Sequence, residues 1–181
     1  SIDYLEREGY VIIKNALTPN EASKTLDLLW DYLENLGTGI DRANPMTWSD
    51  DKWPTCAHGG IIPSYGIGHS EAQWFVRGVP NVKKAFAKVW GTNDLLTSFD
   101  GVSLWRPWNI DPSWKTQSGQ AWFHIDQHPI SKPGKQCIQG LINLLPTSKE
   151  IGGNVVIPKS HNFFKDLPEE YKEMVERLPL D

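Results

Sequence analysis

An imidazole and a carboxylate stand two residues apart in the run Ala-Trp-Phe-His-Ile-Asp-Gln-His, residues 121–128. The run is rich in aromatic and branched side chains and reads as a β-strand, with 120–126 as its bounds. Alternate side chains of a strand point to opposite faces, so Trp122, His124 and Asp126 share one face and Ala121, Phe123 and Ile125 the other. His124 and Asp126 are then two of the three donors of a 2-His-1-carboxylate facial triad. Such a triad leaves positions open on a non-haem Fe(II) for a chelating cosubstrate and O₂. Taken alone, H-x-D is a weak pattern that chance often supplies, so the surrounding elements must carry the weight.

A second strand is expected over 136–145. Its parity puts Ile138, Ile142 and Leu144 on one face and Cys137, Gln139, Leu141 and Asn143 on the other. If that second face lines a pocket, Gln139 and Asn143 are amides able to hydrogen-bond a carboxylate or keto acid. If it faces solvent, they are polar exterior. The strand by itself leaves both readings open.

The rest of the chain must position these residues. Its 181 residues suffice for one domain with a sizeable core. Hydrophobic residues at 39% and charged residues at 22% are ordinary for a globular fold and argue against disorder. A net charge of −4 gives no basic footprint for nucleic acid. No apolar run is long enough to span a bilayer, and the first residues do not form a signal peptide. Cys56 and Cys137 lie far apart without CxxC spacing, so neither a disulfide framework nor a zinc site is expected and a reducing, cytoplasmic setting is the default. Nine Trp suggest aromatic-lined pockets, although most should simply be core.

Residues 9–14 read as a short buried strand after a brief helix. Thr18 and Glu21 have capping-box spacing with Pro19 between them, opening a helix whose apolar stripe is Ala22, Leu26, Leu29, Leu33 and Leu36. Gly37 is placed to end it, and a sheet is its expected support. Residues 38–68 are rich in Pro, Gly and aromatics and form a long irregular segment, placed to cover the mouth of a pocket. His58 and His69 lie in or beside it as isolated histidines. Ser70 caps a short helix through Trp74 and Phe75. Pro80 opens another, with Val82, Ala85, Phe86 and Val89 on one face and Gly91 at its end. Strands are then expected over 95–100, 102–106, 120–126, 136–145 and 154–157, and a last helix over 168–178. Helical support over 1–92 followed by closely spaced strands from 95 suggests one α+β, mainly β domain built on an antiparallel sandwich or barrel.

With these elements in order, the sequence resembles the phytanoyl-CoA dioxygenase family. Gly9-Tyr-Val-Ile-Ile-Lys before a capped helix resembles the family's N-terminal opening. His124-Ile-Asp126 fits its iron-binding H-x-D. Gln139-Gly-Leu-Ile-Asn-Leu-Leu, Gly152-Gly153 and Val155-Val-Ile-Pro-Lys-Ser-His161 follow in the order of its later strand, turn and V-V-x-P-G-S-H segment. The resemblance spans nearly the whole chain.

It implies a double-stranded β-helix (a cupin-like jelly-roll) with flanking N-terminal helices. It also implies Fe(II), 2-oxoglutarate as cosubstrate, and a small-molecule substrate hydroxylated, desaturated or cyclised with release of succinate and CO₂. His124 and Asp126 would hold the metal. Gln139, and with less support Asn143, would bind the cosubstrate; Trp122, Gln127 and His128 would shape the substrate site. Related halogenases carry a small residue in place of the carboxylate, so Asp126 favours hydroxylation or its relatives. Lys159 stands where Gly is usual. The family's second histidine and its 2-oxoglutarate-pairing arginine come on strands after the P-G-S-H segment, and both are expected beyond Asp181. His161 is the alternative third ligand, although the family's histidine at that place is not one. A jelly-roll that binds without catalysis, its metal site lost, is the competing reading. A zinc hydrolase is disfavoured by the lack of H-E-x-x-H.

Overall fold

The computed structural model describes residues 1–57, 60–115, 124–128, 131–148, 151 and 153–166. The chain divides into two compact units, Asn15–Ala121 and a second made of Ser1–Lys14 with Trp122–Asp181.

The first unit is led by helix α2, Pro19–Glu34, numbered after the N-terminal helix α1, Ile2–Glu8. The capping box closes as its spacing predicts: Glu21 N donates to Thr18 Oγ1 at 3.2 Å, and Thr18 N donates to Glu21 Oε2 at 2.7 Å. Two of the amides left open at the helix start are thereby satisfied. The buried positions are Thr25, Leu29 and Leu33. Thr25 is accommodated there because its hydroxyl donates to the Glu21 carbonyl at 2.7 Å. The helix ends at Glu34 with Asn35 as its cap, and Gly37, at φ 73°, makes the turn that follows.

Helix α2 packs on another helix, α3 (Glu71–Gly78). Ser70 Oγ caps α3 by accepting from Gln73 N at 3.3 Å. Helix α4, Pro80–Trp90, follows with Pro at its start and Gly91 at φ 71° closing it, as the sequence predicts. One core cluster of this unit is Leu33, Ile40 and Trp53, wrapped by Trp30, Tyr32, Leu36, Trp48, Cys56 and Leu104. Trp30, Trp48 and Trp53 meet pairwise with ring centroids 5.0 to 6.3 Å apart.

Residues 38–57 and 60–68 are largely irregular but firmly tied. Arg42 pairs with Asp27 at 2.8 Å, its amide donates to Glu34 Oε1 at 2.7 Å, and Tyr32 Oη donates to the Tyr65 carbonyl at 2.6 Å. The segment also supplies strand β1, Ile61–Ile62, which pairs antiparallel with β2, Val102–Ser103. That pairing could not be read from the sequence, because β1 sits in a stretch dominated by turn residues.

Several expected strands are corrected here. Residues 9–14 are not a buried strand: Ile12 is 80% exposed. Residues 95–100, 136–145 and 154–157 have no ladder pairing among the described residues, and only Val102–Ser103 of 102–106 is strand. Alternation encodes which face a side chain takes, but a strand exists only when a neighbouring backbone completes its hydrogen bonds. The sheet among the described residues has two strands, and the jelly-roll stays an expectation of the resemblance. Residues 120–123, the helix over 168–178, and His58 lie outside the described residues. No helix among the described residues is long and apolar enough to cross a membrane.

In the second unit, α1 is capped by the Ser1 hydroxyl and ends at Gly9 in the left-handed region, φ 80°. Tyr4 and Tyr10 meet edge to face at 5.8 Å and join their hydroxyls at 3.2 Å.

Candidate functional site

His124 and Asp126 converge. His124 Nε2 lies 3.1 Å from Asp126 Oδ1, and both side chains are about half exposed, at 41% and 47%. The intervening Ile125 is 45% exposed. Residues 124 and 125 have no ladder pairing among the described residues, and a bend begins at Asp126.

The carboxylate is held from its other side by Gln139, whose Nε2 donates to Asp126 Oδ2 at 2.5 Å. Asp126 thus has one oxygen turned to an imidazole and the other to an amide. The exposure pattern around Gln139 follows the parity of the sequence: Ile138, Ile142 and Leu144 are half-buried, while Cys137, Gln139, Leu141, Asn143 and Leu145 are exposed. Asn143 lies further along, its Nδ2 donating to Thr147 Oγ1 at 3.2 Å.

Gln127 and His128 serve the loop that joins these two stretches. Gln127 Nε2 donates to the carbonyls of Lys132 and Gly134, and its Oε1 accepts from Gln136 N at 3.1 Å. His128 Nδ1 accepts from Ser131 N at 3.0 Å, and its carbonyl accepts from Lys132 N at 3.0 Å. Both were expected at a substrate site; in this structure the hydrogen bonds just named hold Ser131, Lys132, Gly134 and Gln136. Sequence reasoning missed the clamp at Gln127. The signal available was the turn chemistry around Pro133-Gly134, where the Lys132 and Gly134 carbonyls need a donor. Trp122 lies outside the described residues.

His161 is elsewhere in this unit. Its Nε2 donates to the Glu6 carbonyl at 2.8 Å, and Lys159 N donates to the Glu8 carbonyl at 2.8 Å. The segment that resembles P-G-S-H is therefore docked on the last turn of α1.

Does the His124–Asp126 pair suit a metal? Cis donors on an octahedral ion with bonds of about 2.1 Å are about 3.0 Å apart, close to the 3.1 Å observed here. The donor types are those of a non-haem iron site. The Gln139 amide engages the outer oxygen and leaves Oδ1 for the ion, as outer partners of ligating carboxylates do. The pair fits as two donors. Among the described residues no group of three or more His, Cys, Asp or Glu converges.

Comparison with known proteins adds two relatives. The chain is 34% identical over 171 residues to Ava biosynthesis cluster protein O of Aspergillus versicolor, a match covering 94% of this chain and 53% of that protein. It is 26% identical over 200 residues to "Putative phytanoyl-CoA dioxygenase" of Dictyostelium discoideum, covering 91% of this chain and 56% of that protein. The chain thus spans about half the length of the curated relatives it matches. No family model matches the chain, and no solved structure does. Over nine-tenths of its length the chain is similar to a protein bearing the phytanoyl-CoA dioxygenase name, in agreement with the family its own motifs resemble.

Proposed function

We propose that the chain carries the iron-binding part of an Fe(II)- and 2-oxoglutarate-dependent dioxygenase that hydroxylates, desaturates or cyclises a small molecule. The observation that carries this reading is the convergence of His124 Nε2 and Asp126 Oδ1 at 3.1 Å in the H-x-D motif. The dioxygenase name of one relative supports the reaction class. Iron and 2-oxoglutarate, when bound, supply activation of O₂ and the two electrons released as 2-oxoglutarate is cleaved to succinate and CO₂.

The residues have simpler work. His124 would present its Nε2 lone pair, and Asp126 would present Oδ1 and a negative charge that balances the cation. Gln139 fixes the carboxylate by holding Oδ2. An amide has a second N–H and a carbonyl oxygen, so Gln139 can hold Asp126 and still meet a cosubstrate carboxylate. Asn143 is the further amide on the same parity. The reading calls for a basic partner for the far carboxylate and for a third protein donor, and among the described residues no group of three or more His, Cys, Asp or Glu converges.

The test is iron- and 2-oxoglutarate-dependent succinate formation by the whole protein, alongside direct iron titration. His124→Ala and Asp126→Ala should each abolish both, with the melting temperature little changed because both side chains are half exposed. Succinate formation that survives His124→Ala would sink the reading. A whole protein that binds neither iron nor 2-oxoglutarate would favour a non-catalytic binding fold.

A further inference from the structure

Asp126 and Gln139 are both exposed, so packing does little to orient the carboxylate. Its orientation depends instead on hydrogen bonds such as the one Gln139 Nε2 gives to Oδ2. That bond needs residue 139 to stand beside residue 126, and the side chain next to Asp126 bears on whether it does. Gln127 is half-buried and lies in the same compact unit as the pair. Its Nε2 donates to the Lys132 and Gly134 carbonyls, and its Oε1 accepts from Gln136 N at 3.1 Å with the Cys137 thiol 3.9 Å away. An amide has two N–H groups and one oxygen. Both N–H groups and the oxygen are engaged with residues 132–137, which leaves little of Gln127 for a substrate.

Two adjacent side chains therefore tie the same two stretches together, Asp126 to Gln139 and Gln127 to Gln136. The turn between them is closed from within as well. Gly134 sits in the left-handed region at φ 75°, and Gln136 Nε2 donates to the Pro133 carbonyl at 3.0 Å. Gln127 is the side chain that joins this turn to the residue beside the carboxylate.

We propose that Gln127 is a positioning residue for the metal. By fixing where residue 136 lies, it sets whether Gln139 reaches Asp126 Oδ2, and so whether Oδ1 faces the ion alongside His124 Nε2. It touches neither iron nor substrate itself. This role rests on the dioxygenase reading of His124 and Asp126 as donors.

The test is Fe(II) binding by the whole protein without oxygen or 2-oxoglutarate, followed by titration. The visible absorption of the Co(II) form reports the donor geometry. Gln127→Met keeps the length of the side chain and removes its hydrogen bonds. It should weaken Fe(II) binding about tenfold, the scale on which outer partners of ligating groups act. Gln139→Leu should do the same and give the same Co(II) spectrum. Because Gln127 acts through Gln139, the two losses should not multiply: in a Gln139→Leu protein, adding Gln127→Met should change binding by no more than about twofold. A glycine inserted after Pro133 alters the span without removing a side chain, and should match Gln127→Met; it gives the answer if melting curves show that the Gln127→Met protein does not fold. Losses that multiply, or variants that bind Fe(II) like the parent, would leave Gln127 a loop residue only and overturn the proposal. A parent protein that binds no Fe(II) would instead sink the dioxygenase reading, and this role with it.

Discussion

The imidazole of His161 donates from Nε2 to the backbone oxygen of Glu6 at 2.8 Å, tying residues distant in sequence through the end of a short helix. A carbonyl can only accept, so the proton must sit on Nε2. Beside it, Lys159 N satisfies the Glu8 carbonyl. Two carbonyls that α1 would leave open at its C-terminal end are covered in this way.

This arrangement predicts a structural role for His161. His161→Ala should cost about 1 kcal/mol or less, the scale of an exposed hydrogen bond, and leave iron binding intact. Thermal unfolding and iron titration of the variant check both halves. Loss of iron binding in a folded His161→Ala protein would instead make His161 the third ligand.

The same contact sets opposite outcomes for two backbone positions. Gly9 has φ 80°, and a Cβ there would fall 2.4 Å from His161 Nδ1. Gly9→Ala therefore meets both backbone strain and a clash, and should destabilise by about 2 kcal/mol or more. Lys159 occupies the left-handed region at φ 65° with a full side chain. Lys159→Gly should stabilise by about 1 kcal/mol, read as an upward shift in the melting temperature.

Acid should loosen the start of α2. The Thr18 backbone N–H and hydroxyl hold the Glu21 carboxyl below its ordinary value. A carboxylate with a lowered folded pKa contributes stability above its unfolded pKa, and loses that contribution as pH falls through the folded value. Glu21→Gln should therefore melt lower than the parent at neutral pH, and the difference should shrink in acid. A difference that does not depend on pH would show that the charge plays no part.

The two cysteines should separate by reactivity. Burial pushes the Cys56 thiol up, with Arg106 and the Trp53 N–H pulling weakly the other way, whereas Cys137 is exposed. At neutral pH a thiol reagent should label Cys137 first and Cys56 more slowly, the gap narrowing as pH rises. Mass spectrometry of briefly labelled protein reads the order directly.

What could be read in the sequence was local. Thr18 with Glu21, Ser70 with Gln73, and the Pro80 and Gly91 ends fixed three helices, because caps act within four residues of themselves. His124 and Asp126, two apart in sequence, stand 3.1 Å from each other, although residues 124–126 are not a strand among the described residues. The partner of Val102–Ser103 was not legible: Ile61–Ile62 lies about forty residues away in a turn-rich stretch, and pairing over that distance leaves no periodic mark. Nor was the work of Gln127. Its type gave no sign of the backbone groups of Lys132, Gly134 and Gln136 that it holds.

That loop is gauged by a single side chain. Both protons and the oxygen of the Gln127 amide are taken by backbone groups of Lys132, Gly134 and Gln136. A glutamate differs there by one atom, yet it would set a negative oxygen against two carbonyl oxygens and turn attraction into repulsion. The segment can therefore tolerate changes in its own side chains better than an added or lost residue between 127 and 136. Its length acts as a ruler, setting how far Gln139 stands from Asp126.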